Sequence, residues 1–442
     1  MERSVFKEGG NMRQFDKIIG YEEIKIELKR FCDVLKNPEK YEKVGVKPPS
    51  GVLLYGEPGL GKTLMAECFI KESGRKTFTI RKDKPNGDFV NTIRETFEKA
   101  KAEAPSIVFL DDMDKYANED DFHRDAQEYV TIQTQIDECK GQKVFVIATI
   151  NDRRCLPASL IRAGRFDKVI ALGNPRGEDA IKIIAHFLEG KEVVGDVNAE
   201  EIARLIEGHS CAELEGVINE AGIYAGYEGR EKIEQEDIIK ASMRCLFDAP
   251  ECMSGITPAY LEHIATHEAG HAVLAEILNP GSVNLVSVCK FHGSIAGMTK
   301  YRGEEKLNFS KEYMEYKLIS ILGGKAAIEI VYGISDTGCN SDMHDAFSLV
   351  EKFVDNICSF GFDAFEGNNS SEYLLEMKDR MIAMEMERYY QMAKKLLIEN
   401  RVFLDAMISE LVKKQTLTCK DIVKIREKSG LEAEFKGKKG IK

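Results

Sequence analysis

The sequence predicts an α/β module, a parallel sheet with helices on both faces and a helical lid, followed by a mainly α-helical second domain. Three observations lead there. Through the first 175 residues, short apolar or β-branched runs alternate with longer amphipathic stretches, the habit of a parallel sheet covered on both faces. From Gly177 to Phe247 the strand-like runs stop and helical periodicity takes over. Beyond a Pro- and Gly-punctuated linker, Asp248-Ala249-Pro250 through Gly255-Ile256-Thr257-Pro258, helical patterns continue to about Lys428. The expected divisions are a tail over 1–15, the sheet module over 16–176, the lid over 177–250, the second domain over 251–430 and a basic tail over 431–442.

Gly51–Tyr55, Ser106–Leu110 and Val144–Ile150 are apolar runs of strand length and read as buried parallel strands. Ala180–Leu188 and Ala212–Glu228 carry the helical pattern of the lid, and Tyr260–Leu278 is a long helical stretch in the second domain. Val283–Gly303 interrupts the helices and suits a small antiparallel sheet. No internal repeat or low-complexity tract is visible.

A chain of 442 residues has room for about two to four domains, each with its own core. Its 62 Lys and Arg against 74 Asp and Glu leave a net charge of -12, which argues against nucleic acid or anionic lipid as the main partner. The basic end, Lys436–Lys442, reads as solvated tail. Eleven cysteines, scattered and never in a C-x-x-C pair, fit a reducing compartment better than a disulfide framework. Met1–Phe15 is charged and has no apolar core, so neither a secretory signal nor a membrane anchor is expected to begin the chain. The longest apolar runs, such as Val144–Ile150, fall far short of the roughly 20 residues of a membrane helix. A cytoplasmic protein without an integral membrane anchor is expected.

The first chemical motif is Gly56-Glu57-Pro58-Gly59-Leu60-Gly61-Lys62-Thr63, directly after the strand Gly51–Tyr55. Glycines let such a loop curl so that its N–H groups face phosphate oxygens, at the start of a helix whose dipole favours anions. Lys62 can reach the β- and γ-phosphates of ATP, and the Thr63 hydroxyl can complete a Mg²⁺ shell. The strand Ser106–Leu110 ends in Asp111 and Asp112, placed to hold Mg²⁺ and to orient a water. Asn151 ends the third apolar strand, and Arg162 and Arg165 follow. Their guanidinium groups suit the γ-phosphate of a neighbouring subunit, or equally the cap of a surface turn.

The second motif, His267-Glu268-Ala269-Gly270-His271, lies in the helical stretch Tyr260–Leu278. Histidines four apart project from one helix face about one turn, roughly 6 Å, apart, a spacing that suits two nitrogens on one Zn²⁺. Glu268 is turned off the metal, yet near enough to take a proton from water and pass it to a leaving amine. His263 lies one turn earlier and reads as a bystander. Spacing alone leaves the third ligand open among Glu329, Asp342, His344 and Asp345.

The order of the phosphate loop, Ile107-Val108-Phe109-Leu110-Asp111-Asp112, Val146-Ile147-Ala148-Thr149-Ile150-Asn151 and Leu160-Ile161-Arg162-Ala163-Gly164-Arg165-Phe166-Asp167 resembles the AAA+ module of the FtsH family of ATP-dependent zinc proteases, over about Phe15 to Lys428. The resemblance implies that Gly56–Leu64 forms the Walker A loop, Asp111 the Walker B carboxylate, Asn151 the sensor, and Arg162 and Arg165 the fingers. It further implies that Ile19 and Gly20, within Asp16-Lys17-Ile18-Ile19-Gly20, flank the adenine and that His186 lies beside ribose and base. Leu322-Gly323-Gly324-Lys325-Ala326-Ala327-Ile328-Glu329 and Thr337-Gly338-Cys339-Asn340-Ser341-Asp342 resemble the stretch whose aspartate completes the metal site, which selects Asp342, with His344 in reserve. One Zn²⁺ per subunit, ATP, Mg²⁺, protein substrates and a homo-oligomeric, hexameric ring follow as implications of the same resemblance.

Three departures qualify it. Asp112 stands where the family usually has Glu, so its carboxylate is one methylene short and slow ATP hydrolysis is expected. The family's aromatic-hydrophobic-glycine pore loop is replaced by Lys84-Pro85-Asn86-Gly87-Asp88-Phe89-Val90-Asn91, in which Phe89 and Val90 are either the gripping pair or, for Phe89, a core residue of the next helix. Typical members also begin with transmembrane helices; none is expected here, and Met1 at the start favours a soluble branch over a chain trimmed of its anchor. The leading expectation is an ATP-dependent zinc endopeptidase. A remodelling ATPase with a structural peptidase domain and an ATP-gated peptidase for unfolded chains are the alternatives.

Overall fold

The computed structural model describes residues 14–46, 48–82, 88–117, 126–161, 164–195, 197, 199–206, 208–247, 257–288, 297–302, 310–355, 357 and 372–431. The linker 248–256, Arg162, residues 84–87 of the expected pore loop and most of both tails fall outside them. The chain divides into two compact units, 1–235 and 236–442.

The first unit holds a five-stranded parallel sheet of β1 (Gly51–Tyr55), β2 (Lys76–Ile80), β3 (Ser106–Leu110), β4 (Val144–Ile150) and β5 (Lys168–Ala171), in the order β2-β3-β4-β1-β5. The three strands expected from sequence are the central ones. β3 and β4 are buried throughout, as is β1 up to Tyr55, so their apolar runs are unbroken. β2 and β5 are the edges; their exposed and half-buried positions, such as Lys76 and Lys168, break the apolar run that would announce a strand. Helices α1 (Glu22–Lys36), α2 (Pro38–Glu42), α3 (Lys62–Ser73), α4 (Phe89–Ala102) and α5 (Ala126–Glu138) belong to this module, and α6 (Gly177–Leu188), α7 (Ala199–Ile206) and α8 (Cys211–Tyr227) to the lid. A full capping box starts α8: the Ser210 hydroxyl accepts from the Glu213 N–H while the Glu213 carboxylate accepts from the Ser210 N–H.

Register positions the first site. Tyr55 is opposite Ile150, Leu110 opposite Ala148 and Ile80 opposite Leu110. The residues that follow, Gly56, Asn151, Asp111 and Arg81, therefore emerge along one edge, at the carboxyl ends of parallel strands where open α/β sheets bind ligands.

The second unit takes in α9 (Gln235–Phe247) from its second residue onward and is built around α10 (Pro258–Leu278). Thr257 caps α10 by accepting the Tyr260 N–H at 3.2 Å, and Pro258 occupies its first turn. From Ile264 to Glu276 nearly every residue of α10 is buried. α11 (Lys311–Ile321), α12 (Gly323–Tyr332), α13 (Asn340–Asp355), α14 (Glu372–Glu399), α15 (Arg401–Lys414) and α16 (Cys419–Lys428) are the further helices among the described residues. α10 and α12 approach through their glycines: a Cβ on Gly270 would stand 2.2 Å from the Gly323 carbonyl oxygen, and one on Gly323 2.5 Å from that of Gly270. β6 (Val283–Ser287), β7 (Met298–Tyr301) and β8 (Thr416–Thr418) form an antiparallel sheet in the order β7-β6-β8. β6 and β7 fall within the segment expected to hold a small sheet; β8, of three residues, is too short to show a period.

Arg426 of α16 pairs with Glu276 of α10 at 2.7 Å, the two side chains 5% and 0% exposed. Glu276 also accepts the N–H groups of Gly281 and Val283. Arg426→Ala strands this buried carboxylate, so it is expected to destabilise the second unit by about 3–5 kcal/mol. In urea denaturation, a loss no larger than that of an exposed-pair variant such as Arg401→Ala would refute the expectation.

Candidate active site and nucleotide loop

His267 and His271 project from the same face of α10, and Asp342 comes to them from the first turn of α13. Asp342 Oδ2 lies 3.0 Å from His267 Nε2 and 3.2 Å from His271 Nε2, and the two Nε2 atoms are 3.0 Å apart. A tetrahedral Zn²⁺ with bonds of about 2 Å separates its ligand atoms by about 3.3 Å, so the three atoms already have nearly that spacing. Among the described residues this is the one group of three His, Cys, Asp or Glu side chains so placed. Glu329 is turned to Tyr390 and Lys394, and His344 and Asp345 are exposed on α13. His263 is paired with Asp336.

The polar surroundings point to a cation. His271 Nδ1 lies 2.8 Å from the Ser320 carbonyl oxygen and donates its proton there, leaving the Nε2 lone pair directed at the centre. Asp342 Oδ2 is buried and has no well-formed hydrogen bond despite both imidazoles. Three lone pairs facing one another repel unless a positive charge sits among them, and that donor set, two nitrogens and one carboxylate oxygen, is one that Zn²⁺ accepts. Burial opposes protonation of His271, yet Asp342, Glu268 and the Ser320 carbonyl take its pKa up to about 9. Burial likewise pushes Asp342 up, but the closeness of His267 and His271 prevails and holds it far below the usual carboxylate range. The arrangement favours a positive charge among these groups, whether proton or metal.

Glu268 is only 7% exposed, and its carboxylate Oε2 accepts the Thr299 hydroxyl of β7 at 2.8 Å. Burial raises its pKa, against the lowering pull of both histidines and Thr299. A raised carboxyl suits a group that must take up and later release a proton. A Cβ on Gly297 would sit 2.6 Å from Glu268 Oε1, and one on Gly324 2.5 Å from both His267 Cε1 and His271 Nε2. Glycine at these places is what lets strand and helix close on the site.

The phosphate loop leaves β1 and feeds α3, with Gly61 at φ 85°, a conformation that L side chains rarely adopt. Lys62 is folded back, its Nζ donating to the carbonyls of Gly56 and Glu57 at 2.7 Å each. Burial lowers its pKa while Asp112 and Asp114 pull the other way. Thr63 and Thr149 donate to Asp111 Oδ1 at 3.2 and 2.9 Å, and Arg81 pairs with the other oxygen. Asp112 has left-handed backbone, φ 48°, donates its N–H to Thr149 Oγ1 and pairs its carboxylate with Lys115 at 2.6 Å. Asn151 donates twice to Asp114 Oδ2, from its backbone at 3.2 Å and its side chain at 3.1 Å.

The surrounding segments close on this loop. The Gly59 carbonyl accepts the Ala212 N–H of α8 at 3.1 Å. Pro58 and Leu60 complete the turn, Leu64 lies in the first turn of α3, and the Glu57 carboxylate accepts from Asn174. Ile19 precedes Gly20, which stands against Asp179 of α6, and Tyr21 donates to the Gly173 carbonyl at 2.9 Å. His186, also on α6, bounds a cavity of about 580 Å³ with Phe187, Ala212, Glu215, Gly216 and Asn219.

Two expected residues are placed differently from a free surface role. Arg165 is 5% exposed and holds Asp137 with two nitrogens, at 3.2 and 2.6 Å, while also bonding the Ser159 carbonyl. The pair keeps the Asp137 carboxyl at about 2, and reaching a neighbour requires Arg165 to leave it. Phe89 begins α4 and packs edge-on against buried Tyr116, centroids 5.1 Å apart, so the core-residue alternative describes it. Sequence reasoning missed Thr299, Ser320, Thr149, Arg81 and Asp114. Ser320 acts through its backbone and carries no side-chain signal, whereas the alternation of β7 was the available pointer to Thr299.

Comparison with known proteins agrees with this layout. Residues 52–174 match the ATPase family associated with various cellular activities (AAA), 196–240 the AAA+ lid domain and 256–425 peptidase family M41. The ATP-dependent zinc metalloprotease FtsH of Aquifex aeolicus is 30% identical over 96% of this chain and 72% of its own length. That of Thermotoga maritima is 31% identical over 94% of this chain and 73% of its own. FtsH 2 of a Thermoanaerobacter species is 29% identical over 92% and 82%.

Proposed function

The chain belongs to the FtsH family of ATP-dependent zinc metalloproteases, and from that premise we propose that it uses ATP to deliver protein substrates to a Zn²⁺ site made by His267, His271 and Asp342. The observation that carries the assignment is the convergence of those three side chains beside the buried carboxylate of Glu268. Zn²⁺, when bound, supplies Lewis acidity and an open coordination position. Glu268 takes a proton from the attacking water and delivers it to the leaving nitrogen, with Thr299 holding the carboxylate in place. Ser320 keeps the His271 proton on Nδ1.

In the first unit, Lys62 exchanges its two backbone carbonyls for phosphate oxygens when ATP enters, and Asp111 with Thr63 would hold Mg²⁺, which neutralises phosphate charge. Asn151 and Asp112 position the water, the main chain of Gly56–Leu64 cradles the phosphates, and Ile19, Gly20 and His186 receive base and ribose. Proteins of this kind act on protein substrates and are generally oligomeric. A hexameric ring is our reading, in which Arg162 and Arg165 reach the neighbouring nucleotide. Among the described residues no helix is long and apolar enough to cross a membrane. Free thiols such as those of Cys32, Cys68 and Cys139 support placement in the reducing cytoplasm. We keep the functional divisions at 16–176, 177–250 and 251–430.

A second reading, in which nucleotide admits chains that are already unfolded, is favoured by Phe89, which is half-buried and packed against Tyr116. One experiment separates the two: a folded and an unfolded fluorescent protein are incubated with the enzyme, with and without ATP, and with Zn²⁺ chelated. Cleavage of both with ATP supports delivery by unfolding. Cleavage of the unfolded protein alone supports gating, and ATP-independent, chelator-resistant cleavage of either would refute both.

Asp112→Glu is expected to raise ATP turnover by roughly tenfold, because the added methylene restores reach to a water that must be well aligned. Phosphate release per subunit at saturating Mg-ATP measures it. An unchanged rate would mean that the short arm is not what limits hydrolysis.

A further inference from the structure

Asp111 is fully partnered without any metal. Its side chain is 2% exposed, and it accepts the Thr63 and Thr149 hydroxyls on Oδ1 and the Arg81 guanidinium on Oδ2. The last contact is dictated by the sheet. Ile80 of β2 is in register with Leu110 of β3, and the Asp111 N–H donates to the Ile80 carbonyl at 3.1 Å, so the next residues, Arg81 and Asp111, leave the two strands side by side.

The two kinds of contact differ in what they do to an incoming divalent ion. Thr63 can keep its donor bond to Asp111 while its oxygen lone pairs face the ion. Arg81 cannot stay in the same way: it occupies Oδ2 and sets a full positive charge within a few ångströms of the place that Asp111 and Thr63 define. It also has somewhere to go, because its side chain is 54% exposed and lines a cavity of about 620 Å³ together with Thr63, Glu67, Lys71 and Thr92.

We propose that Arg81 is a built-in competitor for the Mg²⁺ position, an inference that rests on reading Asp111 as the Mg²⁺-holding carboxylate. It neutralises Asp111 while no divalent ion is present and leaves when one is held, so it sets the free Mg²⁺ concentration at which the loop loads. It also lessens the repulsion between Asp111 and the phosphates of metal-free ATP. Metal-free nucleotide therefore binds more tightly, and added Mg²⁺ gains less, than either would without Arg81.

The test follows binding of a fluorescent ATP analogue to the full chain as free Mg²⁺ is raised from chelated to millimolar levels. Arg81→Ala is expected to weaken metal-free binding and to lower the Mg²⁺ midpoint by about tenfold, equivalent to about 1.4 kcal/mol. Arg81→Lys, which keeps the charge without the planar fork, is expected to lower the midpoint less, and it serves if the alanine variant does not fold. An unmoved midpoint in both variants overturns the proposal. So does an equal loss of affinity at every Mg²⁺ concentration, the mark of a phosphate ligand. Asp111→Asn in parallel separates the two levels: if it leaves the Mg²⁺ dependence as in the unmodified protein, the assignment of Asp111 fails, whatever Arg81 does.

Discussion

Glu268→Gln is expected to lower peptide hydrolysis by about 10²–10⁴-fold while leaving zinc content and ATP turnover as they are. The carboxamide fills the same buried space and can still accept the Thr299 hydroxyl that now bonds Oε2. What it cannot do is accept a proton from water. Glu268 is not among the three converging ligand groups, so the substitution separates proton transfer from metal retention. Cleavage of a quenched fluorescent peptide, read beside metal analysis of the same preparation, measures both. Residual activity above about a tenth would place the base elsewhere. Loss of zinc along with activity would mean instead that the carboxylate holds the site together.

Gly324→Ala is expected to cost zinc affinity at least about 10–100-fold, as large as the usual effect of disturbing groups around a metal's ligands. Its added Cβ would stand 2.5 Å from His267 Cε1 and His271 Nε2 and 2.7 Å from His267 Nδ1. Both rings would have to turn from the position in which they meet Asp342. Gly324 lies in α12 without a left-handed backbone, so alanine should favour the helix itself by about 1 kcal/mol. Poor metal retention in a folded protein is therefore the specific signature, read by competition with a chromogenic chelator. Gly270→Ala is the contrasting case, because its Cβ meets the Gly323 main-chain oxygen at 2.2 Å, and a backbone cannot rotate away. That variant should unfold the second unit more readily and not merely empty its site. Equal zinc affinity in Gly324→Ala and the unmodified protein would show that the rings can give way.

These particulars also indicate what a sequence can carry. β1, β3 and β4 were legible because burial on both faces demands apolar side chains at almost every position. β2 and β5, at the sheet edges, need no such run. The helix bearing His267 and His271 was legible because a fixed period of 3.6 residues translates spacing into direction. No comparable rule links α10 to Asp342, whose approach depends on how α13 packs, and family resemblance alone selected it over Glu329, His344 and Asp345. The structure sets Asp342 beside the imidazole pair and the other three away from it. The sequence offered a packed Phe89 as one of two readings but not its partner Tyr116, and it gave no sign of Arg165's burial on Asp137, because each depends on a residue far along the chain.

The bond from His271 to Ser320 has a further meaning for how this site tolerates genetic change. The acceptor is a peptide oxygen, which every residue type possesses, so replacing the side chain at 320 leaves the choice of imidazole tautomer intact. A substitution at that position is expected to act through the packing of α11 rather than through chemistry at the centre. The ligand's orientation is insured by the path of the chain itself, and only a shift of the whole helix revokes it.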